Sequence, residues 1–340
     1  MRNYPIIFFL ILFIIPVSFK NISAFDYEMD NTLDGFGWSM GLSLNDDRIY
    51  VADGLYNQIL IFDKLENVFL ETISLQERIC SGHIHGIEIM YDKIFVVKEN
   101  QNCIAIFDLD GKFLYEFGKK GDKQGEFNGP QNLQIFEEKI FVTDYENHRI
   151  QVFDLDGKFL YEFGKKGDKQ GEFDRPFDIE IFEEKIFVTD SGNYRIQIFD
   201  LDGKFLYEFG KKGDKQGEFN GVLGIKVSEN QIFVIDSGNN RIQIFDLDGE
   251  IVDTINENFK SPHQIFLNEN KIYVLDTYNY QVKIFSIPYQ VTDSQAFLNN
   301  ELEINEESSE MNDSIDPSLI FLLIIIIVVL FMIFLRKKLM

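Results

Sequence analysis

The sequence is poor in cysteine, histidine and basic residues. Its 340 residues include two Cys and four His, and 32 Lys and Arg face 56 Asp and Glu, for a formal net charge of −24. Two cysteines are too few for a disulfide-framework domain or a four-cysteine zinc module. Binding to a nucleic-acid backbone depends on clustered Lys and Arg, which an acidic excess of this size opposes. We therefore expect no nucleic-acid partner.

Apolar residues make up 45% of the chain, and part of this fraction lies in two terminal runs. Residues 1–24 have the charged start, short apolar middle and small-residue exit of a secretory signal peptide. Residues 318–335 are 18 uncharged, mainly aliphatic residues that would span about 27 Å as a helix. The basic residues of segment 336–340 follow at once. This pattern predicts a transmembrane helix with a cytoplasmic tail and everything before it outside.

An acidic segment precedes the predicted span. Residues 298–317 contain seven acidic residues, no basic ones and few large apolar side chains. Such a segment cannot bury enough surface to fold and is typical of a charged, extended linker. The sequence therefore predicts a single-pass protein of the cell membrane in which an acidic stalk carries an extracytoplasmic domain at residues 25–297.

The middle of the chain is a repeat. The 21-residue string beginning at Phe107 recurs unchanged at Phe153 and Phe199, a period of 46 residues, and weaker copies extend the series to six units. Each unit contains four short stretches of alternating apolar and polar residues. Six four-stranded units predict an all-β fold, a six-bladed β-propeller, with a flat solenoid as the alternative. Since Pro288 interrupts the last unit, we expect residues 25–29 to supply its outer strand.

A core of the form V-x-D followed by N-x-R-I-Q-x-F occurs in residues 142–153, with close copies at 188–199 and 234–245. These segments resemble the NHL repeat family. The second unit departs most from the pattern, because Lys98 replaces the aspartate. The resemblance implies a six-bladed propeller. It leaves the function open, because the family includes enzymes, RNA binders and protein-binding modules.

One position of the innermost strands is a candidate for the central channel, and two histidines share it. The six residues at this position are Met40, His85, Gln131, Phe177, Leu223 and His263. A resemblance to peptidyl-hydroxyglycine amidating lyase, a propeller enzyme with three histidines on a channel zinc, raises the possibility of a metal site. A catalytic zinc usually has three protein ligands, and the third is missing here. Hydrogen-bonded channel histidines are the preferred interpretation, with zinc or calcium as the alternative. Asn132 and Asp178 are candidates for a polar channel mouth.

The two cysteines replace a charged pair of the other repeats. Cys103 stands where three repeats have Arg149 and its copies, and Cys80 stands where they have Glu126 and its copies. The concerted replacement predicts that the two positions are in contact. We expect a disulfide between Cys80 and Cys103 in the second repeat, and an ion pair such as Glu126 with Arg149 in the other three.

The glycine-rich loops of the three identical repeats carry lysines that should line one rim of the ring. The candidate binding residues are Lys119, Lys120, Lys165, Lys166, Lys211 and Lys212. No nucleophile motif accompanies them. The sequence therefore favours a non-catalytic cell-surface protein that binds an extracellular protein, peptide or glycan through a propeller face. A metal-dependent extracytoplasmic lyase or hydrolase and a structural envelope component are the alternatives.

Overall fold

The computed structural model describes residues 27–75, 84–228, 230–268 and 270–287, which fold into six antiparallel sheets of four strands each. Neighbouring innermost strands contact one another all the way round, including the first with the last, so the sheets form a closed ring. The predicted all-β, six-bladed propeller is confirmed. The predicted signal peptide (1–24), stalk (298–317), transmembrane helix (318–335) and tail (336–340) lie outside the described residues. Within the residues described, no helix is long and apolar enough to cross a membrane.

The blades follow one another along the chain. The first three blades are formed by β2 (Ser39–Leu44), β3 (Arg48–Asp53), β4 (Gln58–Asp63) and β5 (Phe69–Ser74); by β6 (Ile84–Met90), β7 (Lys93–Lys98), β8 (Cys103–Asp108) and β9 (Phe113–Phe117); and by β10 (Pro130–Phe136), β11 (Lys139–Asp144), β12 (Arg149–Asp154) and β13 (Phe159–Phe163).

The next two blades repeat the same order, and the sixth takes its outer strand from the start of the chain. Their strands are β14 (Pro176–Phe182), β15 (Lys185–Asp190), β16 (Arg195–Asp200) and β17 (Phe205–Phe209); β18 (Val222–Val227), β19 (Ile232–Asp236), β20 (Arg241–Phe245) and β21 (Ile251–Ile255); and β22 (Pro262–Asn268), β23 (Lys271–Asp276), β24 (Gln281–Ser286) and β1 (Met29–Leu33).

Strand β1 closes the ring by pairing with β24. Met29 lies opposite Phe285 and Leu33 opposite Val282. The predicted closure by the N-terminal segment is confirmed, but the predicted strand, residues 25–29, is four residues too early. In the compared repeat nine residues separate the strand at 113–117 from Phe127, whereas only two separate β1 from Phe36.

Two kinds of turn connect the strands within a blade. Glu137 and Glu138, between β10 and β11, both have positive φ, +46° and +59°, as a tight two-residue hairpin turn requires. Between β12 and β13, Gly157 has φ +78° and its N–H donates to the Asp154 carbonyl at 3.0 Å.

The hydrophobic core lies between blades. Six clusters of buried side chains each join two neighbouring sheets, and the cluster between the last blade and the first contains Leu33, Phe36, Leu42 and Val282 among others. Both faces of the middle strands are therefore covered, which explains their nearly continuous apolar runs. Each blade depends on its neighbours for burial, as in other repeat proteins.

Short 3-10 turns link the second and third strands of five blades: Glu99–Gln101, Tyr145–Asn147, Ser191–Asn193, Ser237–Asn239 and Thr277–Asn279. They lie on the same side of the ring as the connections from each outer strand to the next innermost strand, because β10 starts opposite the end of β11. We call this side the loop face. The lysine loops and the channel mouth described below lie on this face.

Candidate functional site on the loop face

A buried aspartate organises the loop face of each of the three identical repeats. Asp144, at the end of β11, is fully buried. Its carboxylate accepts hydrogen bonds from the Asn128 N–H at 2.7 Å, Asn147 Nδ2 at 2.9 Å, Arg149 Nε at 2.8 Å and Gln151 Nε2 at 3.0 Å. We call Asp144 with these side chains the carboxylate hub. The spacing D-x-x-N-x-R-x-Q is therefore the spacing that lets one carboxylate bind three side chains across a tight turn.

The hub fixes the preceding loop. Arg149 Nη2 donates to the carbonyls of Lys123 and Glu126 at 2.8 and 2.9 Å, and Gln151 Nε2 donates to the Glu126 carbonyl at 2.7 Å. Asn147 Nδ2 also donates to the Gly121 carbonyl at 2.8 Å. We call residues 118–126, 164–172 and 210–218 the lysine loops, and equivalent bonds hold the other two.

The predicted ion pair between Glu126 and Arg149 is wrong, although the two positions are in contact. Arg149 binds the backbone carbonyl of Glu126, while its guanidinium is paired with Asp144 and, at 2.9 Å, with Glu162. The Glu126 carboxylate stays within its own loop, where it accepts the Lys123 N–H at 3.2 Å and lies 3.3 Å from Lys119 Nζ. The buried hub aspartate provides a nearer and better desolvated partner for the arginine than the loop carboxylate does.

The second blade lacks the hub and uses a different pairing. Lys98 occupies the position of Asp144, is almost fully buried, and its Nζ donates to Asn57 Oδ1 of the first blade. Cys103 occupies the position of Arg149 and is buried at the start of β8. Its predicted partner, Cys80, lies outside the described residues, so the disulfide stays a prediction.

The lysine loops connect the second blade to the third, the third to the fourth and the fourth to the fifth, so they form an uninterrupted arc. Lys119, Lys165 and Lys211 each contact the glutamate at the end of their own loop at 3.3 to 3.4 Å. The backbone N–H of Lys123, together with Lys119, lowers the pKa of Glu126. All six candidate lysines are exposed.

The second lysine of each loop is the better placed to contact a ligand. Lys120 and Lys166 have no ion-pair partner among the residues described, and Lys212 Nζ lies 4.9 Å from the centre of the Tyr194 ring. The structure therefore brings the predicted lysines together as a fixed arc.

The predicted channel residues meet at the mouth of the channel on the loop face. His85, Phe177 and His263 are each the second residue of an innermost strand in alternate blades. The rings of His85 and His263 have centres 6.2 Å apart, and those of Phe177 and His263 are 5.0 Å apart. These three buried rings narrow the mouth.

The two histidines differ in their surroundings. His85 Nε2 lies 3.4 Å from Glu99 Oε2. Burial lowers the pKa of His263 to about 3, and the nearby His85 adds to this effect. His263 is therefore neutral near pH 7, and its Nδ1 has no hydrogen-bond partner in the part of the chain described.

The donor set at the mouth does not fit a three-ligand zinc site. A phenyl ring, Phe177, stands at the third alternate blade, where a third nitrogen would be required. Among the described residues, no three His, Cys, Asp or Glu side chains are grouped so that they could hold a metal ion.

Asn132 and Asp178 lie in the wall between blades. Asn132 Nδ2 donates to Asp178 Oδ1, and Asp178 Oδ2 accepts the Ile225 N–H of the next blade at 2.9 Å. Gln264 makes the same kind of bond, accepting the Leu42 N–H at 2.6 Å. These side chains link innermost strands, which do not pair with each other through their backbones.

Sequence reasoning missed an ionic cluster deeper in the channel. Lys226 Nζ lies 2.5 Å from Glu180 Oε2 of the neighbouring blade and 5.1 Å from the centre of the Phe266 ring. Burial raises the pKa of Glu88 to about 7, with Lys226 opposing the shift and Glu180 adding to it. Burial alone would lower the pKa of Lys226. The Glu180 and Asp178 carboxylates outweigh this effect of burial, so the pKa of Lys226 is raised. Comparison of residues three places after the histidine position would have found this cluster.

On the sixth and first blades, the loop face carries large aromatic and apolar side chains, whereas the lysine loops carry exposed lysines. Its exposed large side chains are Trp38, Leu55, Tyr56, Tyr278 and Tyr280. Thr277 Oγ1 donates to the Ser39 carbonyl at 3.2 Å, which joins the turn of the sixth blade to the start of the first. We call these five residues the aromatic sector.

A closed ring of six four-stranded blades defines the class of protein, a six-bladed β-propeller. Residues 65–162 and 171–312 match a family described as a 6-bladed beta-propeller, and the chain belongs to this family. No curated protein matches the sequence.

Solved structures with the same fold include two lyases and a WD40 domain. Virginiamycin B lyase from Staphylococcus aureus aligns with a TM-score of 0.56 and 15% identity over 77% of this chain and 99% of its own. A streptogramin B lyase gives 0.56 and 15% over 78% and 88%, and the WD40 beta propeller domain of Doa1 gives 0.56 and 12% over 79% and 99%. At these identities the similarity shows the fold alone.

Proposed function

We propose that this protein is a non-catalytic binding protein of the cell surface, and that its loop face recognises an acidic extracellular glycan, protein or peptide. The observation that carries the proposal is the arc of three lysine loops, each fixed by a buried carboxylate hub. Fixed loops lose little conformational entropy on binding, so the exposed lysines are preorganised for an acidic ligand. The rest of the chain is strongly acidic, which would repel acidic molecules from other surfaces.

The remaining parts of the chain fit the same role. We propose that residues 1–24 direct export, that residues 298–317 form a stalk, and that residues 318–335 anchor the chain with residues 336–340 in the cytoplasm. We also propose that the repeats are of the NHL type, since the hub gives a physical reason for the spacing of the V-x-D and N-x-R-I-Q core.

A triple substitution in the lysine arc tests the proposal. The full-length protein, purified in detergent, would be titrated onto immobilised acidic oligosaccharides and acidic peptides. The variant K120Q/K166Q/K212Q should bind at least about tenfold more weakly and depend less on salt, because three charge contacts are removed.

The repeats also provide a matched control. The variant K112Q/K158Q/K204Q removes the same charge from three exposed lysines between third and fourth strands, on the opposite face of the ring. It should bind like the wild type. An equal loss in both variants would indicate unspecific charge attraction, and no loss in the first would refute a role for the arc.

A channel enzyme is the second candidate function. The observation that favours it is the contact of His85 with Glu99 beside the unpaired Nδ1 of His263. Elemental analysis of the purified protein separates the two functions, because stoichiometric zinc or calcium that is lost in the variant H85A/H263A would favour the enzyme.

A further inference from the structure

The connection before the sixth blade is shorter than the lysine loops, and a cavity opens beside it. Residues 256–261 join β21 to β22, whereas residues 164–175 make the corresponding connection from β13 to β14. The cavity has a volume of ≈ 490 Å³. Its lining residues are Met29, Thr32, Glu257, Asn258, Lys260, Asn279, Gln281 and Lys283.

Comparison with the third blade explains why polar groups are left facing this cavity. Gln281 occupies the place of Arg149, which binds two loop carbonyls and Glu162 in the third blade. The side chain of Gln281 forms no hydrogen bond within the described chain and is partly exposed. Its amide therefore has a donor and an acceptor to offer to a ligand.

Two other lining side chains, Lys283 and Asn279, are held by hydrogen bonds. Asp276, in the place of Asp144, forms the hub of this blade and accepts hydrogen bonds from the Lys260 N–H at 2.7 Å and Asn279 Nδ2 at 2.7 Å. Lys283, in the place of Gln151, donates from Nζ to the carbonyls of Glu257 and, at 3.2 Å, Asn258, and it lies 3.1 Å from Asp276. Asn279 donates to the Asn258 carbonyl at 3.0 Å. The site therefore needs little reorganisation before it binds a ligand.

Two exposed tyrosines of the aromatic sector flank Asn279. Tyr278 and Tyr280 are 57% and 51% exposed. The Tyr278 N–H donates to the carbonyl of Lys260, another lining residue, at 3.1 Å. Tyr280 has φ +55°, a left-handed conformation that is costly for a residue with a bulky side chain. The first blade has Asn57 at the equivalent position, and asparagine adopts this conformation more easily.

We propose that this cavity and the adjacent tyrosines form a subsite for a sugar residue of a glycan. Amide, carboxylate and hydroxyl groups match the alternating donors and acceptors of sugar hydroxyls. Tyrosine rings offer an apolar face to the C–H face of a pyranose and a polar edge to solvent. A volume of ≈ 490 Å³ lies within the usual size of small-ligand sites.

The sugar subsite rests on the proposed function, because both place the ligand on the loop face. The subsite narrows the ligand to a glycan. It uses residues of the sixth blade that the lysine arc does not include. The two ideas can therefore fail separately.

Binding of the full-length protein to an array of neutral and uronic-acid oligosaccharides tests the subsite, followed by calorimetric titration of the best oligosaccharide. The variant Q281R/K283Q restores the residues of the third blade and should fill the cavity while keeping the hub. The surface variant Y278A/Y280A removes the rings without touching the core. Each should weaken binding at least tenfold with an unchanged thermal midpoint.

The control is Y91A, since Tyr91 is 54% exposed and lies in the hairpin turn between β6 and β7, on the opposite face of the ring. It should bind like the wild type. The proposal is overturned if no oligosaccharide binds, or if binding survives in both Q281R/K283Q and Y278A/Y280A. Binding that is lost in K120Q/K166Q/K212Q but kept in Q281R/K283Q and Y278A/Y280A would overturn the proposed subsite and support ligand binding by the lysine loops. Binding to acidic peptides alone would likewise overturn the subsite and leave the proposed function intact.

Discussion

The carboxylate hub should contribute a measurable share of the stability of the ring. Replacing Asp144 with alanine removes the acceptor of four hydrogen bonds and the nearest counter-charge of Arg149, which is 8% exposed. Removing one partner of a buried ion pair costs about 3–5 kcal/mol. Because Arg149 keeps Glu162 and two carbonyls, we expect the lower end, about 3 kcal/mol, or roughly 6–12 °C in thermal midpoint.

Circular dichroism during thermal and urea unfolding measures this cost. The repeat supplies internal replicates, since Asp190 and Asp236 have the same partners in the next two blades. D144A and D190A should lose similar amounts, and D236A should lose more, because Arg241 has Thr254 where Arg149 and Arg195 have a glutamate partner. D122A is the matched control, because Asp122 is an exposed aspartate of the lysine loop.

Two outcomes would refute the reasoning. A D144A protein within about 0.5 kcal/mol of D122A would show that the hub carboxylate adds nothing, since exposed surface changes usually stay within that range. Widely different costs for D144A and D190A, or a D236A cost below both, would show that the local contacts do not determine the energy.

Two further predictions concern histidine and cysteine. Burial holds the pKa of His263 near 3, so the folded state should lose stability as the pH falls below about 6.5, by about 3 kcal/mol at pH 4 from this group. H263F removes this titration, so its midpoint should drop less than the wild-type midpoint between pH 7 and pH 4; an equal drop would contradict the assignment. For Cys80 and Cys103, peptide mapping without reductant should recover one linked peptide pair, and recovery of both thiols free would exclude the disulfide.

The repeat made the fold predictable from one sequence. Three identical copies established the period, and the alternation within each copy gave four strands. Equivalent positions also identified the channel mouth, where His85, Phe177 and His263 meet. Each of these inferences needs only the chain's own periodicity, because neighbouring blades bury one another's faces in the same way.

Side-chain partners were less predictable than positions. The contact between the Glu126 and Arg149 positions was inferred correctly from the cysteine replacement, but the chemistry was wrong. Replacement patterns indicate which residues are close and do not say whether a carboxylate or a carbonyl accepts the hydrogen bond. The hub aspartate was part of the quoted motif, yet its role required knowledge of which N–H groups the turn brings to it.

The ionic cluster of Glu88, Glu180 and Lys226 was missed for a different reason. In an acidic chain, paired carboxylates are too common to be informative alone. These residues occupy one strand position in three blades, and a lysine among acids at that position is the signal that a systematic comparison would have caught.

The closing strand has a consequence for the order in which the protein can fold during synthesis. Asp30 and Ser286 form a hydrogen bond at 2.8 Å although they are 256 residues apart. Strand β1 leaves the ribosome before any blade exists and must wait, with its backbone unpaired, until β24 follows. An unpaired strand of this kind can pair with another chain. Two of the first three residues of β1, Asp30 and Asn31, are polar, which limits the apolar surface of the strand during that interval.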